Sequence, residues 1–391
     1  MSTMERILRL MAEKKASDVY LSANCQALIR INGECLPINS QPLSPDTPRD
    51  LIAEILPADR MRELTESGEL NMSVPIKGVG NFRVSAMHQR NTVAVVVRYI
   101  PAEIPPLESL NLPPVLAELA LMPRGLLVVV GGTGAGKSTT MAAMLDYRNA
   151  QRPGHILTVE DPISCIYTNN RSVVNQREVG TDTKSLHTGL KNALRQAPDV
   201  IMIGEIRDRE TMTAALAYAQ SGHLCIASLH ANNAYQALNR VLSFYPVEVR
   251  PALLGDLAQS LKAVVAQRLL KLSNGGGRAP ANEILVNTQL VGELIEKGDF
   301  TGVREAMEKS ITPGTQTFDQ DLVRLITEGR VTQEDAVSYA DSPTNLLWRL
   351  QNEPKLAAGS KAGAKDKKPA SDDKPGDESP SFTHITLDVC T

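Results

Sequence analysis

Residues 126–145 read LLVVVGGTGAGKSTTMAAML, and this stretch decides the fold. An unbroken apolar run ends at Gly131, the loop up to Gly136 is nearly all small residues, and Lys137-Ser138 opens a helical pattern. A buried strand, a tight loop and a helix in that order make a phosphate cradle. Gly131, Gly132, Thr133, Gly134, Ala135 and Gly136 let backbone N–H groups turn inward at the positive end of a helix. Lys137 is then placed to reach the β- and γ-phosphates of ATP. Ser138, followed by Thr139, is placed to ligate Mg²⁺. Gly131-xxxx-Gly136-Lys137-Ser138 matches the P-loop pattern in full.

Working outward, the chain alternates strand and helix in the manner of a parallel sheet. LLVVV, HILTVE, DVIMIG and LCIASL read as strands, with TKSLHTGLKNALRQ and RETMTAALAYAQ as helices between them. In such sheets ligands sit beyond the carboxyl ends of the strands. The second motif, APDVIMIGEIRD, ends a buried strand in Gly204-Glu205, with Asp208 and Glu210 opening the next helix. Glu205 there can hold the metal through water, as an unusual Walker B acid without the customary Asp; equally, it is a residue type that starts helices. HILTVEDPIS repeats the arrangement with Glu160-Asp161, broken by Pro162. Two strand-end acids permit one to serve the metal and one to polarise the attacking water. LCIASLHANN puts His230 at a fourth strand end, either a γ-phosphate sensor or an ordinary histidine, whereas His223 reads as the latter.

Composition narrows the class. The 391 residues are 42% hydrophobic and 22% charged, with net charge −3. That suits a soluble globular protein and argues mildly against a dedicated nucleic-acid binder. Cys25, Cys35, Cys165, Cys225 and Cys390 form no CxxC pair, which fits reduced cytoplasmic thiols without a zinc framework. The amino terminus is too polar for a signal peptide, and no window approaches the ~18 apolar residues of a membrane span. Direct membrane insertion is not expected.

Residues 1–100 read as a small α+β domain. MERILRLMAEKK, PDTPRDLIAEIL and ADRMRELTES are helical, while DVYLSA, ALIRING, NFRVSAMHQR and TVAVVVRYI read as strands, the last two joined by a turn at Arg90-Asn91. The proline-spaced residues 101–114 read as a linker and 115–350 as the ATPase domain, mostly helical beyond Pro246. Residues 351–391 have the composition of a disordered tail. Arg83, Arg90 and Arg98 are expected on the last two strands of the first domain. Solvated arginines are the default there; the sharper reading is an arginine finger reaching a neighbouring subunit's nucleotide, which implies a ring.

Taken together, these segments resemble the type IV pilus retraction ATPases, the PilT/PilU family within the secretion ATPase superfamily. The P-loop, ILTVEDPI, DVIMIGEIRD and SGHLCIASLHANNA occur in the family's order, and ASDVYLSA, FRVSAMHQR, VVNQREVG, LRQAPDV and VVAQRLL add to the likeness. The resemblance covers about residues 4–350. It implies a PAS-like amino-terminal domain, a RecA-like P-loop NTPase core, an α/β class overall, and a homohexamer. By the same resemblance Glu160 is the catalytic glutamate, Glu205 the Walker B acid, His223 and His230 the His-box pair, and Arg83 and Arg98 the family arginines. It further implies a PilT-like motor protein and an inner-membrane pilus platform protein as partners, at the cytoplasmic face of the membrane.

LRQAPDVIMIGE, SGHLCIASLHANNA and ADSPTNL lean toward the PilU branch. Two departures stand out. In TQLVGELIEKGD, Gly292 replaces the first arginine of a motif common in PilT-like chains, which favours an accessory motor. In EDPIS, Ser164 replaces an acid common in that box; were that acid the catalytic one, hydrolysis here would be slow or absent. A pilus-assembly or secretion ATPase, a nucleic-acid motor of RecA type and a non-hydrolysing ATP-bound scaffold remain the rival classes.

Overall fold

The structure is a computed structural model that describes residues 2–31, 34–100, 103–310 and 312–352. The described chain falls into two compact units, one reaching Pro101 and the other spanning Ala102–Gln351. The expected tail lies outside the described residues, apart from its first two positions, which end the last helix.

In the first unit α1 (Thr3–Glu13) starts where the Ser2 hydroxyl accepts from Glu5 N. It buries Met4, Ile7, Leu8 and Met11, a spacing that puts all four on one helical face. Then follow β1 (Asp18–Leu21), β2 (Leu28–Ile31), β3 (Glu34–Pro37), α2 (Thr47–Ala53) and α3 (Ala58–Ser67). Three long strands close the unit: β4 (Glu69–Ile76), β5 (Gly80–Gln89) and β6 (Thr92–Ile100). The sheet order is β3-β2-β1-β6-β5-β4, with every neighbour antiparallel. Arg90 and Asn91 both take positive φ, the backbone that a two-residue hairpin turn requires. Arg90 therefore lies in the turn, not on a strand. The pattern of ELNMSVPI did not announce β4, because its alternation is broken and Pro75 interrupts it; as an edge strand it tolerates the proline.

The second unit opens with α4 (Val115–Ala120), β7 (Gly125–Val130) and α5 (Lys137–Gln151). It continues through β8 (Gly154–Glu160), β9 (Ser172–Glu178), α6 (Leu186–Ala193), β10 (Val200–Ile206), α7 (Arg209–Gln220), β11 (Leu224–Leu229), α8 (Ala234–Ser243) and α9 (Arg250–Ser260). The sheet order is β13-β12-β7-β11-β10-β8-β9, where β12 is Leu261–Lys271 and β13 is Arg278–Val286. All neighbours are parallel except the β12–β13 hairpin at one edge.

Every residue of β7 is buried, and its faces alternate. Leu126, Val128 and Val130 pack in the cluster that includes residues of α6 to α9; Leu127 and Val129 pack with α4 and α5. Burial on both faces explains the unbroken apolar run. Truncating Leu126 or Leu127 to Ala is expected to cost about 2–5 kcal/mol.

The mostly helical reading beyond Pro246 needs correction. Helices α10 (Gln289–Glu296), α11 (Phe300–Glu308), α12 (Phe318–Thr327), α13 (Gln333–Tyr339) and α14 (Pro343–Asn352) do close the chain, but β12 and β13 precede them. LKAVVAQRLL mixes helix formers with only two β-branched residues, so local propensity hides a strand that burial beside β7 dictates. Among the described residues no helix is long and apolar enough to cross a membrane.

Candidate active site

The glycine loop leaves the carboxyl end of β7 and enters α5 at Lys137. Gly136 has φ +89°, a backbone that side chains other than glycine's resist, and it sets the turn into the helix. The Lys137 ammonium folds back over the loop, donating to the carbonyls of Gly131 (2.8 Å) and Gly132 (3.0 Å). Half-burial pushes its pKa down, and the Glu205 carboxylate partly offsets this. Ser138 and Thr139 are exposed in the first turn of the helix.

Glu205 is placed by a defect in the sheet. The β10–β11 register shifts between Ile203 and Ile206, a bulge that re-aims the intervening side chain. The Ser228 hydroxyl holds the bulge by donating to Gly204 O at 2.6 Å. A Cβ at Gly204 would stand 3.2 Å from Glu160 Cα, so this close approach of strand ends favours glycine. Thus re-aimed, Glu205 meets His230 Nε2 at 2.9 Å and Arg207 Nε at 2.6 Å, and Arg207 reaches Asp161 at 3.3 Å. An open cleft lined by Glu205, Ile206, Arg207, Leu229, His230 and Arg240 results.

The two strand-end acids have different partners. Glu160, 2% exposed, turns toward β9: its carboxylate accepts from Thr158 Oγ1 (2.8 Å), Ser164 N (3.0 Å) and Gln176 Nε2 (3.5 Å). Burial raises its pKa against these hydrogen bonds. Ser164 is exposed, its backbone N–H spent on Glu160. Asp208 caps α7 by accepting from Thr211 N at 2.8 Å, which holds its pKa down.

The two histidines are also apart. His223 precedes β11 and hydrogen-bonds Ser221, while His230 follows the strand. Six extended residues span roughly 20 Å, so only His230 belongs to the cluster. In the first unit Arg98 pairs with the buried Asp18 at 2.9 Å, and Arg30 approaches the same acid at 3.8 Å. Cross-strand register aligns Arg30, Asp18, Arg98 and Arg83 in one row. Sequence reasoning missed Arg207 and Arg240. The signal for Arg207 was its place two residues past Glu205, which in extended chain puts both on one side; Arg240 gave none.

Fit to a divalent cation rests on the donor set. Among the described residues no group of three or more His, Cys, Asp or Glu could hold a metal. Mg²⁺ does not need one: it is bound through one or two protein oxygens, phosphates and waters. The exposed Ser138 hydroxyl and the Glu205 carboxylate fit that pattern.

A lysine-anchored glycine loop at the carboxyl edge of a parallel sheet, beside a carboxylate re-aimed by a bulge, defines a P-loop nucleotide hydrolase. The signature of the type II/IV secretion system proteins matches residues 2–334, and the chain belongs to that family. It is 47% identical over 347 residues to the type IV pilus ATPase PilU of Pseudomonas aeruginosa, covering 89% of this chain and 91% of that one. The type IV pilus retraction ATPase PilT of the same organism is 38% identical over 340 residues, 87% and 98% of the two chains. The crystal structure of the pilus retraction motor PilT with bound ADP superposes with a TM-score of 0.82 at 36% identity, over 89% of this chain and 99% of that one. The Legionella pneumophila ATPase DotB follows at 0.73 and 26% identity, over 85% and 94%. The chain shares the α/β fold of these ATPases, and it is an ATP hydrolase.

Proposed function

We propose that the chain is a hexameric motor whose ATP hydrolysis powers type IV pilus retraction, working as a PilU-like accessory to a PilT-like motor. The observation that carries the reading is the Lys137–Glu205 cluster at the mouth of the P-loop, in a chain so similar to PilU along its length. Within this reading the second unit is RecA-like and the first PAS-like, joined by the linker at 101–114. The ring works at the cytoplasmic face of the inner membrane against the pilus platform protein.

The residues divide the chemistry as follows. Loop N–H groups and Lys137 bind the β- and γ-phosphates, so Lys137 exchanges its two loop carbonyls for phosphate oxygens. Ser138 and Glu205 would hold Mg²⁺, which supplies charge neutralisation across those phosphates. Glu205, fixed by Arg207 and by His230 Nε2, orients the attacking water, and His230 stands beside the γ-phosphate. The resemblance gives Glu160 the catalytic acid's role, but that role requires it to leave three hydrogen-bond partners. We assign it instead to holding the 161–164 turn. Arg98 and Arg83 of the adjoining protomer neutralise charge developing on the transferred phosphoryl group.

Pilus retraction in host cells carrying Lys137→Ala, with and without the PilT-like partner, tests this. Loss of the accessory contribution is expected. Unaltered retraction in every background would remove the motor role.

A further inference from the structure

We propose that Gln267 on β12 positions the phosphate loop for nucleotide. It is an uncharged residue on the strand beside the loop, and it meets both ends of the cradle. Its backbone carbonyl lies 2.6 Å from where a Cβ at Gly131 would stand, and its Nε2 lies 2.6 Å from the same point at Gly136. Gly131 and Gly136 are the first and last residues of the loop, so one residue backs both of its hinges.

The side chain is committed to this place. Gln267 is 3% exposed, and its Oε1 accepts from Thr140 Oγ1 at 2.7 Å. Thr140 is itself 1% exposed and lies one turn into α5, beyond Lys137. Its own N–H bonds to Gly136 O at 3.0 Å. A continuous chain of hydrogen bonds and close contact therefore runs from β12 through Thr140 to Gly136. A buried polar pair is retained at a cost unless satisfied, and here the Thr140 hydroxyl donates to Gln267 Oε1. An apolar pair would fill the same space without fixing the angle between α5 and the loop.

Alternation along β12 explains why the neighbouring residue does something else. Arg268 faces the opposite side of the sheet, where it stacks over Phe318 and binds Asp341 and the carbonyls of Tyr339 and Asn232. Asn232 lies two residues past His230. The two adjacent residues thus touch the two loops of the site, one from each face.

The inference rests on the reading that residues 131–136 take the nucleotide's phosphates. The loop's N–H groups hold phosphate in both the ground state and the transition state. Loosening the loop should raise KM for ATP and leave kcat nearly unchanged. A double-mutant cycle on the full chain tests it, with fluorescent ADP affinity, KM and kcat as readouts for Gln267→Leu, Thr140→Val and the pair. Each single change is expected to weaken ADP binding about fivefold to twentyfold, and the pair no more than the worse single change. Thr140→Ser, which keeps the hydroxyl, should restore wild-type affinity. Should Gln267→Leu fail to fold, Thr140→Val against Thr140→Ser carries the test. Affinity within twofold of wild type in Thr140→Val, strictly additive losses, or a fall in kcat with KM unchanged would overturn the proposal. Lys137→Ala separates the two levels: if it too leaves ADP affinity unchanged, the nucleotide reading fails first.

Discussion

Lys137 donates to two carbonyls of its own loop, which holds the ammonium over the phosphate cradle. Lys137→Ala is expected to lower ATP turnover at least about a hundredfold and to weaken ADP binding, both measurable on the purified chain. In the proposed division of roles Glu160 holds the 161–164 turn rather than acting as the catalytic acid. Its carboxylate is buried and shared among Thr158, Ser164 and Gln176, while Ser164 itself is exposed. Glu160→Gln should therefore cost less than about tenfold in turnover and should lower the unfolding temperature, since it disturbs the hydrogen bonds of the turn. A hundredfold loss with unchanged stability would return the catalytic role to Glu160.

The strands and helices that carry the site were mostly legible in the sequence. LLVVV and LCIASL are buried throughout, HILTVE and DVIMIG are buried over most of their length, and all four read as mainly apolar runs. Their glycine and acid terminators mark the carboxyl edge. What stayed hidden depends on neighbours: the bulge that re-aims Glu205 has no local signature beyond Gly204, and β12 looks helical until β7 lies beside it. The same hairpin holds a pH-sensitive group. Glu283 on β13 caps α8 by accepting from Ala234 N at 2.7 Å. Burial raises its pKa to about 7, with Asp341 pushing the same way and Arg268 opposing. Between the unfolded carboxyl range and about pH 7, the native state binds the extra proton, so this group's stabilising contribution is lost as pH rises through 7. Glu283→Gln mimics the protonated form. Its melting temperature relative to wild type should climb by several degrees between pH 5.5 and 8; a constant difference would show that Glu283 does not titrate there.

The proposed ring places residues of one protomer beside the nucleotide site of another. Asp18 is buried in the first unit and pins Arg98, whose side chain is still 60% exposed. An arginine oriented through its Nε and still largely exposed suits action in trans. Coexpressing Arg98→Ala with Lys137→Ala chains should recover about a quarter of wild-type ATPase activity, the share of interfaces that random mixing completes. No recovery from two separately inactive variants would confine the arginine's effect to its own chain.

Bulge, histidine and arginine all converge on Glu205. Glu205→Gln keeps its size and one acceptor while removing the charge. Steady-state ATP turnover of that variant should fall at least about a hundredfold, with ADP affinity within about threefold of wild type. Turnover equal to wild type in a folded variant that still binds ADP would contradict the assignment of hydrolysis to this site.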